Sequence, residues 1–155
     1  MDVITRNAEE LYQRGVSELR YGRAMCALLL FRRAVTISRE AERPGRRIAR
    51  YLSYCGISLY RSGGPVVDAV RLCQEAVAID PGRPSLWRNL AHVAVAAGRT
   101  GHAHHALSRA QAVSPGHQGV ATDLQKLGVR RQPVLPFLMR SNPVNVVLGR
   151  LRASI

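Results

Sequence analysis

Aromatic residues are scarce. Phe, Tyr and Trp together make up 5% of the 155 residues, while 46% are apolar. A core can form at this length in one domain. An abundance of Ala, Leu and Val with few aromatics favours closely packed helices over a sandwich of strands. Lysine is almost missing: Lys126 is the only one among 23 basic residues. Acid is also in short supply, with ten Asp and Glu leaving a formal net charge of +13. Beyond Asp80 the only acid is Asp123. Such a charge suits nucleic acid, an anionic membrane surface or an acidic protein. The preference for Arg over Lys is equally explained by codon usage in a GC-rich genome.

Long apolar runs are missing too. "AMCALLLF" and "LAHVAVAA" are too short to span a bilayer and are flanked by charge. "MDVITRNAEELYQRG" has no apolar stretch after a basic start, so no signal peptide is expected. Cys26, Cys55 and Cys73 are odd in number and lack metal-ligand spacing. That argues against a disulfide framework and for a reducing cytoplasm. The chain has no phosphate loop, GxSxG, HExxH or paired-cysteine motif. The strongest case for an enzyme would pair Cys26 or Cys73 with a histidine, but Cys73 falls on a packing position. No catalytic residue, cofactor or metal is expected.

What is present is helical periodicity, broken by "ERPGRR", "RSGGP", "DPGRP", "AAGRTG" and "SPGH". Breaks this regular mark a repeat. The pattern A-x3-(large apolar)-x2-A occurs as Ala27, Phe31, Ala34, again as Ala69, Cys73, Ala76, and again as Ala103, Leu107, Ala110. Upstream of each copy a small residue follows an apolar anchor by one turn: Leu11 with Gly15, Leu52 with Gly56, Trp87 with Ala91. Small residues let two antiparallel helices approach, and the large ones fill the space beside them. Glycine at Gly22, Gly63 and Gly98 suits the turn between them. Pro81 and Pro115 end the second helix.

In this spacing the chain resembles a small bacterial protein of the tetratricopeptide repeat family with three repeats. The third copy carries the fullest match, with Trp87, Leu90, Ala91, Gly98, Ala103, Leu107, Ala110 and Pro115 in place. The first departs at Arg14 and Glu18, where apolar residues are usual, and at Arg39, where proline is. A polar first helix suits a terminal repeat, whose outer face has no neighbour. The resemblance implies an all-α right-handed superhelix of antiparallel helix pairs. Its repeats fall at about 8–41, 49–83 and 84–117, with a capping helix at 118–127, making a repeat domain over 1–128. The insertion "ERPGRRI" between the first two copies reads as a loop or as an extension of the next helix.

The resemblance also implies a function. In the family, the first helix of each repeat lines a concave groove that takes a peptide or a helix of a partner. Position by position, that groove is Tyr12, Val16, Leu19 and Arg20, then Ser53, Ile57, Tyr60 and Arg61, then Arg88, His92 and Val95. This mixture of apolar, aromatic and basic side chains suits a protein or peptide with apolar anchors and acidic residues. Tyr54 and Tyr60 are open to a second reading, as packing between neighbouring helices. The Lys and Asn with which some members clamp a C-terminal carboxylate are missing. The expectation is therefore a cytoplasmic scaffold or adaptor, not one for chaperone tails.

Two features remain. "GHAHHALSRAQAVSPGH" holds four of the five histidines. With Ala103, Leu107 and Ala110 on the packed face, His105 points outward with His102 beside it and His104 at the flank. Two exposed ligands make a weak metal site, and a solvated histidine face is expected. After Gly128 the repeat stops. Residues 129–155 carry five arginines and no acid, with an extended stretch around Phe137 set by Pro133 and Pro136. Ser141 or Asn142 then caps a helix whose stripe is Val144, Val147, Leu148, Leu151 and Ile155. This basic tail has three options. It docks on its own repeats, it binds a partner or a second copy as a homo-oligomer, or it lies on an anionic membrane. Charge alone would favour nucleic acid, against which the lack of interleaved aromatics counts.

The register is testable. Ala103→Leu should destabilise the third repeat by about 1–3 kcal/mol through overpacking. His105→Ala should stay within about 0.5 kcal/mol of the parent. Equal shifts of the two in thermal unfolding would exclude the register.

Overall fold

The computed structural model describes residues 3–40 and 46–128. Most of the "ERPGRRI" insertion, and the tail with Phe137, Val144, Val147, Leu148, Leu151 and Ile155, lie outside the described residues. Among the described residues seven helices follow one another: α1 (Val3–Arg20), α2 (Ala24–Glu40), α3 (Arg47–Arg61), α4 (Val66–Ile79), α5 (Pro84–Ala96), α6 (Thr100–Val113) and α7 (Gln118–Leu127). No strand occurs among the described residues. The architecture is an all-α helical-repeat superhelix, in which α1 packs on α2, α3 on α4 and α5 on α6. Successive pairs stack through α2 on α3, α4 on α5 and α3 on α5, and α7 covers α6.

The turn inside each pair has one solution, used three times. The chain leaves the first helix through a glycine at positive φ: Gly22 at 75°, Gly63 at 82° and Gly98 at 70°. The next amide then reaches back five residues, from Arg23 to Glu18, Gly64 to Leu59 and Arg99 to Ala94. This satisfies helix-end carbonyls and reverses the chain in very few residues. Pro84 starts α5 after an extended Arg83, where its fixed φ and missing N–H do no harm.

Small residues set how closely the paired helices approach. Ala27, Ala34, Ala69, Ala76, Ala91, Ala103 and Ala110 are all buried, and Phe31, Leu52, Cys73 and Leu107 fill the spaces around them. Leu11, Trp87 and Leu90 are only partly buried. Gly15 lies against the Phe31 ring. One hydrophobic cluster runs through the first two pairs and reaches Leu86 and Val93 on α5. A second joins α5, α6 and α7 through Ala91, Ala94, Leu107 and Val120. Trp87 and Leu90 pack against both. Trp87 is fixed by its indole N–H, which donates to Pro81 O at 2.8 Å, and by Arg109 above its ring.

Between the first two pairs the contact is polar as well as aromatic. Glu9 on α1 accepts hydrogen bonds from Arg50 Nη2 at 2.9 Å and Tyr51 Oη at 2.8 Å, both on α3. Arg50 also lies over the Tyr12 ring, 4.9 Å from its centroid. Cys55 and Cys73 are buried and Cys26 is exposed. Burial pushes the Cys73 thiol up to about 12, so it is not a nucleophile at neutral pH. No described helix is long and apolar enough to cross a membrane.

A Cβ at Gly56 would stand 2.7 Å from Cys73 Sγ and 2.8 Å from Ala69 O. Gly56→Ala should therefore cost about 1–3 kcal/mol of stability by forcing α3 and α4 apart. Gly116→Ala meets nothing within 4 Å and should change stability by less than about 0.5 kcal/mol. Urea unfolding of the two variants checks this, and a neutral Gly56→Ala would contradict the close approach.

Candidate functional site

The first helices of the three pairs share a recess of about 290 Å³. Val16, Leu19 and Arg20 line it from α1, Tyr54, Ile57 and Arg61 from α3, and Arg88, Asn89 and His92 from α5. Val16, Leu19, Arg20, Ile57, Arg61, Arg88 and His92 were all expected there from the repeat register. Arg20 and Arg61 stand at equivalent positions, each five residues beyond the small residue of its helix, Gly15 or Gly56. No acid contributes to this lining.

Four expected groove residues are placed otherwise. Tyr12 is buried, with ring centroids 5.8 Å from Phe31, 5.2 Å from Tyr51 and 5.4 Å from Tyr54. It welds α1 to α3 and is not available to a partner. Ser53 is fully buried, and its hydroxyl accepts a hydrogen bond from Asn89 Nδ2 at 2.9 Å. A small residue there lets α5 lie close to α3. Tyr60 is exposed but lines no part of the recess, and Val95 opens onto a neighbouring one. Conversely, the register did not assign Asn89 to the groove, and it left Tyr54 undecided.

The neighbouring recess, of about 310 Å³, lies between α5, α6 and α7. Ala91, Val95, Leu107 and Leu127 make it largely apolar, with His92, Asp123 and Lys126 at its polar side. His92 lines both recesses, so they form one surface. At their junction Asp123 Oδ2 accepts hydrogen bonds from Arg88 Nε and from His92 Nε2, the latter at 2.7 Å. A carboxylate can only accept, so His92 presents Nε2–H. Burial alone would raise the Asp123 carboxyl. The two hydrogen bonds and the adjacent positive charge more than reverse this, and its pKa lies below the usual value.

Elsewhere, His102 and His105 line a recess of about 220 Å³ together with Gln74 and Arg99. His104 is engaged with Ser108. No group of three or more metal-ligating side chains occurs among the described residues.

The Asp123 contact predicts a pH dependence. A carboxylate whose pKa is depressed in the folded state stabilises the fold at neutral pH, and the contribution is lost as pH falls through and below the usual carboxylate range. Asp123→Asn should lower the urea midpoint at neutral pH, with the difference from the parent shrinking on acidification. A difference independent of pH would exclude the assigned pairing.

No family model matches the chain, and no curated protein does. Solved structures do. The first TPR of Spaghetti (RPAP3) bound to the HSP90 peptide SRMEEVD is 14% identical, with a TM-score of 0.66, over 79% of this chain and 91% of that one. The second TPR domain of human RPAP3, in complex with the HSP70 peptide SGPTIEEVD, is 14% identical over 82% and 99%, with a TM-score of 0.66. PcrH in complex with the chaperone binding region of PopB is 19% identical over 77% and 93%, with a TM-score of 0.62. At these identities the likeness is one of fold: the chain has the fold of a tetratricopeptide repeat domain.

Proposed function

We propose that this chain is a protein-interaction module whose groove, between α1, α3 and α5, holds a peptide or helical segment of a partner protein. The observation that carries the reading is the recess itself. Three successive helices contribute apolar Val16, Leu19 and Ile57 next to basic Arg20, Arg61 and Arg88, with no acid in the lining. Such a surface is complementary to a segment that alternates large apolar and acidic residues. SRMEEVD and SGPTIEEVD, held by two domains of the same fold, are acidic peptides with an apolar residue beside the acids. The present groove lacks the Lys and Asn clamp of the chaperone binders, so its partner is read by Arg20 and Arg61 instead. Arginine presents a rigid fork of donors to a carboxylate, and charge-assisted hydrogen bonds of this kind are the strong ones. The chain acts as a scaffold or adaptor and not as a catalyst, in the cytoplasm.

A random-peptide library selected against the full chain tests this. Enriched sequences should combine Asp or Glu with large apolar residues. Arg20→Gln and Arg61→Gln should each weaken the selected peptide about tenfold by calorimetry. Selection of basic or featureless peptides, or binding indifferent to both substitutions, would refute the groove reading. So would retention of nucleic acid alone, which would transfer the function to the basic surface.

A further inference from the structure

The second recess already holds a carboxylate, and it belongs to the chain. Asp123 is the only acid beyond Asp80, and it lies on the last described helix. Its side chain is one-tenth exposed. Arg88 and His92, one turn apart on α5, converge on a single oxygen of that carboxylate. α7 is shaped to allow this approach. Gly119, one turn before Asp123, faces the Arg88 guanidinium, and a Cβ there would sit 3.0 Å from it. Beside the carboxylate lies the apolar recess of Ala91, Val95, Leu107 and Leu127. Arg88 and His92 also line the first recess, so an incoming segment that lies along Arg20 and Arg61 arrives next at these two donors.

We infer that Arg88 and His92 form a second carboxylate subsite, for an acidic residue of the partner that is followed by an apolar side chain seated in the recess beside it. In the free chain, Asp123 fills that subsite as an internal stand-in. The inference rests on the groove reading above and adds to it. A partner carboxylate and Asp123 cannot both take the same two N–H donors, so full engagement of the groove displaces Asp123 and loosens α7. The apparent affinity is then reduced by the fraction of molecules in which Asp123 occupies the site.

The test uses the full chain and the peptide selected in the library experiment. Asp123→Asn empties the subsite of its charge and should tighten binding by about three- to tenfold. Arg88→Gln should weaken binding in the Asp123→Asn background. In the unaltered chain, peptide binding should speed hydrogen exchange in α7 while slowing it in α1 and α3. That last measurement needs no variant and decides the matter even if Asp123→Asn fails to fold. If Asp123→Asn binds equally or more weakly, or α7 gains protection on binding, while Arg20→Gln and Arg61→Gln still weaken the peptide, the subsite is overturned and the groove reading stands. If none of these substitutions changes affinity, the groove reading itself has failed and the subsite with it.

Discussion

Where α3 crosses α4, a Cβ on Gly56 would collide with both Ala69 O and Cys73 Sγ, and the fold is organised around approaches of this kind. Helices meet here across alanine and glycine, so their separation is fixed by backbone contact more than by interlocking side chains. The large residues then have assigned places. Phe31 fills the space left by Gly15, and Leu107 packs among Ala91, Ala94 and Ala103. Once each pair has this spacing, its second helix packs on the first helix of the next pair. Val16, Ile57 and His92 are thereby brought to one recess although they are far apart in sequence.

Charge is arranged on top of this framework in a one-sided way. Glu9, Glu18, Asp68, Glu75, Asp80 and Asp123 are each bound to an arginine of the same chain. Three of these pairs, those of Glu18, Asp68 and Glu75, are exposed and contribute little to stability. Their larger effect is on what remains, because spending the few acids internally leaves a surface on which arginine dominates. Such a field raises the rate of encounter with acidic partners and falls with added salt.

The fold was legible in the sequence because its determinants are local and repeated. Glycine at the turns, small residues at the helix crossings and the apolar positions between them recur in one register, and each has a physical meaning at its own position. The groove was legible only in part. Tyr12 and Ser53 hold the same register position, which points toward the groove in a regular repeat, but both are buried. At the first pair, Phe31 of α2 and Tyr51 and Tyr54 of α3 gather around the Tyr12 ring. In the second, Asn89 closes over Ser53. Both outcomes depend on residues from another helix. Asp123 gave less signal still. A lone acid on a short capping helix looks like solvent-facing decoration until its partners, 31 and 35 residues away, are placed beside it.

The junction at Trp87 and Leu90 has a mechanical consequence. The first two pairs share one core and the third pair shares another with α7, and these two side chains are packed against both. In a linear array, stability is a sum of local units and the interfaces between neighbours. Leu86 and Val93 of α5 are buried in the first core as well, so α5 is the element through which the two units are held together. Arg20 and Arg61 ride on helices of the first core, and Arg88 and His92 ride on this shared helix. A segment bound as proposed would therefore span both units and act as a splint.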